Sequence, residues 1–157
     1  MAETIQGRDM VWDLFITHAW HYHEHWVRLS ELLDAEPGLS WRNFSVSWHD
    51  PAMDPNTEVG GRFVRDWLET QIMPVVGVIM LASVFERGSA KRWISLEIEV
   101  ARRHNKPIVA LPAHGHTKVA PEVEALADAA APWDARAIIA TVDRLRKEIA
   151  AHSSTET

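Results

Sequence analysis

Apolar residues occur along the chain in two alternating patterns, short continuous runs and longer stretches with helical spacing. Residues 11–17 form a short apolar run rich in β-formers, and residues 75–81 and 107–111 are apolar on both faces. Strands of that kind are typical of the centre of a parallel sheet, where helices cover both faces. Two weaker segments, 43–47 and 131–133, are predicted as the second and fifth strands.

Helical spacing of apolar residues predicts the elements between and after these strands. The second helix is expected to place Phe63, Trp67 and Ile72 on one side. Ser89 is expected to cap the third helix, because its side-chain oxygen can accept a backbone N–H of the first turn. From His152 onward the chain is polar and is expected to fray. The other predicted helices are 22–35, 89–105, a short Ala/Glu helix within 112–130, and a last helix striped by Ile138, Val142, Leu145 and Ile149.

The alternation of strands and helices predicts the fold class. It favours an α/β fold with a doubly wound, flavodoxin-like sheet of five parallel strands in the order 2-1-3-4-5 and helices on both faces. Ligands of such sheets bind outside the carboxyl ends of the strands. The loops after Thr17, after Ala82 and around residues 48–51 are therefore expected to line any site.

Length and composition narrow the class of protein. The 157 residues suit one domain, predicted over 10–151 with tails at 1–9 and 152–157. The chain has no cysteine, which excludes disulfides, thiol catalysis and cysteine zinc sites. A net charge of −6 without a dense Lys/Arg cluster argues against nucleic acid as a partner. With a polar N-terminus and no apolar run longer than 74–82, a soluble cytoplasmic protein without membrane contact is expected.

Four stretches resemble motifs of the TIR superfamily, and within it the bacterial TIR-like group found in Thoeris anti-phage systems. Residues 93–98, Trp-Ile-Ser-Leu-Glu-Ile, are similar to the W-x-x-x-E segment that carries the catalytic glutamate of NAD-cleaving TIR domains. The chain departs from the pattern at Ile94, where a cysteine is usual, and at 19–21, where some relatives are arginine-rich. The other three stretches are 13–20 in the first strand, 45–51 at the second strand and its loop, and 105–109 at the entry to the fourth strand.

The resemblance implies a TIR-like fold and an enzyme that cleaves the nicotinamide–ribose bond of NAD⁺. NAD⁺ is then the substrate rather than a resident cofactor, and the products are nicotinamide and an ADP-ribose or cyclic ADP-ribose-type signal used in anti-phage defence. Glu97 matches the catalytic position. The resemblance also implies a separate effector protein that senses the product, and activation by self-association through the BB loop, residues 48–58.

The chemistry of this bond suits a single carboxylate. Trp93 and Glu97 are four residues apart on the predicted helix, so they are neighbours, whereas Glu99 points nearly the opposite way. Partial desolvation beside the indole should raise the pKa of Glu97 and strengthen its interaction with a cation or hydroxyl. The nicotinamide of NAD⁺ leaves as a neutral molecule and needs no general acid, whereas most glycosidases use two carboxylates. The sequence marks no second carboxylate, and the alternative for Glu97 is a solvated helix acid.

The expected site loops carry further candidates for binding the substrate. Adenine and nicotinamide rings favour aromatic stacking, and the phosphates need hydrogen-bond donors. Each candidate can equally have a structural role. The candidates are Thr17, His18, Ala19, Trp48, His49, Ser83, Phe85 and Trp93.

A cluster of histidines at the start of the first helix raises the question of a metal site. His21 and His25 have a metal-compatible i, i+4 spacing, and His18 and His23 lie beside them. The fuller H-E-x-x-H pattern is absent and no distant ligand is marked. No metal is therefore expected.

Two other functions stay open. A non-catalytic TIR-like domain would act as a protein–protein interaction module that assembles through its BB-loop region. The other is a receiver-like or nucleotide-binding flavodoxin-type domain. A receiver needs an acidic cluster near the ends of the first and third strands, and Ala82 and Ser83 supply no acid, so this function ranks last.

Overall fold

The computed structural model describes residues 10–17, 23–45, 57–82, 88–113 and 116–155, with backbone only for His23, 88–93 and 153–155. They form a five-stranded, all-parallel sheet in the order β2-β1-β3-β4-β5, which confirms the predicted doubly wound fold. The strands are β1 (Val11–Ile16), β2 (Ser40–Asn43), β3 (Gly77–Leu81), β4 (Ile108–Leu111) and β5 (Ala129–Ala130). The helices are α1 (His23–Asp34), α2 (Glu58–Ile72), α3 (Gly88–Arg103), α4 (Pro121–Glu124) and α5 (Ala135–Thr155).

The central strands lie between two layers of helices. Every residue of β3 and β4 is buried, as their continuous apolar sequences predict. On one face lie α1 and α5. Arg136 Nε, in the first turn of α5, donates at 2.8 Å to Oε2 of Glu36, just after the end of α1. On the other face α2 and α3 lie side by side, as right-handed crossovers require.

Two ion pairs join α2 to α3 and fix their relative height. Arg65 Nε lies 2.7 Å from Glu99 Oε2, and Arg103 NH1 lies 2.6 Å from Glu69 Oε2. Each pair is separated by 34 residues. A residue of α2 therefore lies at the same height as the residue 34 positions later in α3.

The buried face of α2 differs from the predicted one. Its buried residues are Gly60, Gly61, Val64, Leu68 and Ile72, whereas Phe63 is 58% exposed and Trp67 is half-buried. Ile72 is therefore on the core side, but Phe63 is not. The prediction was wrong because apolar residues cover two adjacent sides of α2: Val64, Leu68 and Ile72 lie on the core side at i, i+4 spacing, and Phe63 and Trp67 each precede one of them by one residue.

The two edge strands lie a few residues before their predicted positions. Strand two was expected over 43–47, but β2 ends at Asn43, and residues 46 and 47 lie outside the described ones. The residues of β2 alternate between exposed and half-buried, so they give no apolar run. A bidentate ion pair instead marks its register: Arg42 donates to Asp13 of β1 through Nε at 2.6 Å and NH2 at 2.8 Å.

The last strand was expected over 131–133, and β5 is Ala129–Ala130. The Ala131 N–H continues the ladder to Ala110 O at 3.0 Å, one residue beyond the strand. Trp133 is half-buried because its indole Nε1 donates to Pro112 O at 2.9 Å, not because it lies in a strand.

The helices begin and end close to their predicted positions, with two exceptions. α3 begins at Gly88, so Ser89 lies inside its first turn rather than in the capping position before it. α5 continues to Thr155, past His152, where the tail was expected to begin. Among the described residues, no helix is long and apolar enough to cross a membrane.

Candidate functional site

Glu97 is buried in α3, and its helical neighbours show which side of the helix faces inward. Glu97 is only 3% exposed, and its neighbours Ile94, Leu96 and Ile98 are also buried. Glu99 faces outward, where its carboxylate accepts hydrogen bonds from Arg65 and Arg103. The two side chains therefore point in opposite directions, as predicted. The alternative interpretation, an acid on the solvated face of a helix, fits Glu99 but not Glu97.

The ion pairs between α2 and α3 place Glu97 at a definite height. With the offset of 34 residues, Glu97 lies level with Phe63 of α2. One turn closer to the start of α2 are Gly60 and Gly61, both on its buried side. Thr57 caps this end of the helix, since its Oγ1 accepts the Gly60 N–H at 2.9 Å. Height alone relates Glu97 to these glycines, because it is Glu99, on the opposite side of α3, that faces α2.

Thr17 joins the carboxyl ends of the neighbouring strands β1 and β3 by hydrogen bonds. It is fully buried, its N–H donates to Ile79 O at 2.9 Å, and its Oγ1 accepts the Leu81 N–H at 3.0 Å. The hydroxyl therefore has a structural role as an acceptor at the edge where a ligand is expected. Its own proton remains the only donor that the side chain can offer to a substrate.

A polar network holds the chain where it leaves β2. Trp26 Nε1 donates to Ser45 Oγ at 2.9 Å, and both Oγ and the backbone N–H of Ser45 donate to Asn43 Oδ1. Asn43 in turn contacts Ser30 through its amide, at 3.5 Å. Ser45 is buried and belongs to one of the TIR-like stretches, but its bond to Trp26 of α1 had no signal in the sequence. This network fixes the base of the segment that leads into the predicted BB loop.

The remaining candidates differ in whether their side chains lie in the part of the chain that the structure describes. Trp93 lies in α3, one turn before Glu97, but its side chain is outside the described part. Thr17 and Glu97 are thus the two candidates whose side chains are described. His18, Ala19, Trp48, His49, Ser83 and Phe85 lie outside the described residues.

The stretch 105–109 ends α3 and starts β4 through a defined turn. Asn105 has a φ of 56°, in the left-handed region that asparagine tolerates and glycine favours. The Lys106 N–H donates to Ala101 O at 2.9 Å and the Asn105 N–H to Arg102 O at 3.1 Å, which is a Schellman motif. Burial lowers the pKa of Lys106. This turn explains physically why asparagine or glycine suits the first position of the stretch.

A cleft of about 510 Å³ opens at the carboxyl ends of β4 and β5, a region that the sequence marked only as a loop with a short helix. Pro112, Val119 and Pro132 form part of its apolar wall, and Lys118 and Glu124 carry its charges. None of the residues that line it was a candidate. It lies farther along the same edge of the sheet than Thr17.

Metal ions in proteins are held by groups of His, Cys, Asp or Glu side chains that lie close together. Among the described residues, no three His, Asp or Glu side chains lie close enough together to hold an ion. His18 and His21 fall outside this part of the chain, and only the backbone of His23 is described.

No protein-family model matches the sequence, and no curated protein matches it. The resemblance to TIR domains therefore rests on the four sequence stretches, and the geometry of Glu97 stands independently of it.

Proposed function

We propose that this protein is a TIR-type NAD⁺ nucleosidase or ADP-ribosyl cyclase with Glu97 as its catalytic carboxylate. The reaction breaks the bond between C1′ of the ribose and the nicotinamide nitrogen. The bonding pair leaves with nicotinamide, whose positive charge is thereby neutralised. Water then adds to C1′ and loses a proton to give ADP-ribose, or a nucleophile of the same molecule adds and gives a cyclic product.

The burial of Glu97 supports this proposal most strongly. Acidic side chains are rarely buried, because removing a charge from water is costly unless other groups compensate for it. Among the described residues Glu97 is the one buried acid. A carboxylate shielded from water interacts more strongly with developing positive charge than an exposed one does, because the local dielectric constant is lower. That is the property required to stabilise an oxocarbenium-like ribose.

The sequence spacing adds a second line of support. Trp93, one turn earlier in α3, completes the W-x-x-x-E spacing of the TIR motif.

The cellular role follows from the resemblance. The enzyme acts in the cytoplasm as part of an anti-phage system, and a separate effector protein senses the ADP-ribose-type product. Self-association through residues 48–58 activates it, and no metal takes part.

The decisive experiment compares two neighbouring glutamates. Purified protein is incubated with NAD⁺ at high protein concentration, and nicotinamide and nucleotide products are separated by chromatography. Glu97→Gln should lower nicotinamide release by about a hundredfold or more, since it removes the charge and keeps the size of the side chain. Circular dichroism and thermal unfolding should show that the fold is retained.

Glu99→Gln is the matched control. It removes the same charge two residues away, but from an exposed carboxylate that pairs with Arg65 and Arg103. We expect activity within about twofold of the original, because exposed pairs contribute little. Equal losses in both variants would contradict the role of Glu97, and wild-type protein that releases no nicotinamide would favour the interaction module instead.

A further inference from the structure

The outward face of α2 carries most of the large apolar surface that the described part of the chain exposes. Val59 is 69% exposed and Phe63 is 58% exposed, and Met73 at the end of the helix is 56% exposed. Among the described residues the only other exposed large apolar side chain is that of Val11, which is 41% exposed. Val59 and Phe63 are four residues apart, so they form one continuous ridge on the helix.

A second ridge, made of charged residues, runs beside the first. Arg62 and Asp66 are also four residues apart and both are exposed. Within the described part of the chain neither makes an ion pair, in contrast to Arg65 and Glu69, which pair with α3. The outer face of α2 therefore combines an apolar ridge with one unused positive and one unused negative charge.

Together the two ridges form a surface that is complementary to the same surface on a second copy of the chain. In an antiparallel pair of α2 helices whose two-fold axis crosses near residue 64, Arg62 of each copy faces Asp66 of the other. The same axis brings the two Phe63 rings side by side, offset by about 3 Å along the helices. An isologous contact requires this kind of reciprocity, in which each patch meets its own copy.

We propose that the outer face of α2, formed by Val59, Arg62, Phe63 and Asp66, is a homodimer surface on which two copies pack α2 against α2 in antiparallel orientation. This surface is separate from the NAD⁺ chemistry at Glu97 and does not depend on it. One helix face is smaller than the roughly 800 Å² per partner of a standard interface. The dimer is consequently weak and forms at high protein concentration.

Sedimentation velocity of the full chain, from about 10 µM to about 1 mM, measures this association. We expect a shift from monomer to dimer that Phe63→Ser abolishes. Arg62→Asp and Asp66→Arg should each weaken the dimer by about tenfold, because either change places two like-charged pairs across the axis. Charge reversals on the opposite layer of helices, Arg144→Asp and Glu31→Arg, are the matched controls and should leave association unchanged.

Two combinations test the geometry itself. The double swap Arg62→Asp/Asp66→Arg restores both ion pairs and should recover the original association. An equimolar mixture of the two single variants should form a heterodimer, since one copy then carries two negative and the other two positive charges. A wild-type monomer throughout the concentration series, or a double swap as weak as the single variants, would overturn the proposal.

Discussion

The hydroxyl of Thr17 accepts the Leu81 N–H at the point where β1 and β3 end. Both residues are fully buried, so water cannot replace this bond if the hydroxyl is lost. Thr17→Val, which keeps the shape of the side chain, should therefore lower the free energy of unfolding by about 1–3 kcal/mol. The midpoint of urea unfolding, at an unchanged slope, measures the loss.

Thr17→Ser is the control for this substitution, because it keeps the acceptor and removes only the methyl group. It should lose clearly less stability than Thr17→Val. Equal losses in the two variants would mean that the methyl group contributes as much as the hydrogen bond, and a Thr17→Val variant as stable as the original would show that the bond to Leu81 contributes nothing.

At the scale of single residues, the sequence predicted which way a side chain points better than which residue it contacts. The i, i+2 spacing of Glu97 and Glu99 was enough to show that they face opposite ways, because helical geometry is independent of the partners. The ion pair of Glu99 with Arg65 was not predictable, since Arg65 lies in another helix. The same limit applies to Thr17, whose position at a strand end was predicted but whose bond to Leu81 was not.

At the scale of elements, Gly77 shows how closely α5 packs on the sheet. A Cβ built on Gly77 would lie 2.8 Å from Val142 Cγ1, closer than such atoms ordinarily approach. Alanine in place of glycine reduces the entropy of the unfolded chain and stabilises where it fits without strain. Here the contact with Val142 should reverse the sign, and Gly77→Ala should destabilise by about 1–3 kcal/mol.

The double variant Gly77→Ala/Val142→Ala identifies the cause of that loss. Val142→Ala alone leaves a cavity, but in the double variant the new methyl group occupies part of that space. The double variant should therefore be less destabilised than the sum of the two single variants, as measured by urea unfolding. Strict additivity would show that Val142 is not what obstructs a side chain at position 77.

The same elements show which parts of the fold were open to prediction. β3 and β4 are apolar on both faces, so their sequences identify them without knowledge of their neighbours. β2 and β5 lie at the edges of the sheet and have no such run. Their positions depend on contacts outside the strand, such as the pair of Arg42 with Asp13. The buried side of α2 was missed because Phe63 and Trp67 are apolar but lie beside the stripe of Val64, Leu68 and Ile72 that faces the core.

For the whole molecule, the burial of Glu97 has a consequence for activation. A residue that is 3% exposed cannot bring its carboxylate to the ribose of NAD⁺ unless the surrounding chain rearranges. The chain as described therefore corresponds to a resting state in the proposed mechanism. A process that binds the rearranged state more tightly shifts the population toward it, and association with a second copy is such a process.

Activity per chain should consequently rise with protein concentration. NAD⁺ is a long substrate, and in the proposed mechanism the loop 48–58 of a second copy completes the pocket beside Glu97. While most of the protein is monomeric, nicotinamide release per chain at saturating NAD⁺ should increase roughly in proportion to concentration. Trp48→Ala should reduce this increase with little change in the unfolding midpoint, and Glu97→Gln should stay inactive throughout. A rate per chain that is constant over about a hundredfold dilution, with a monomer confirmed by light scattering, would contradict activation by association and leave the role of Glu97 intact.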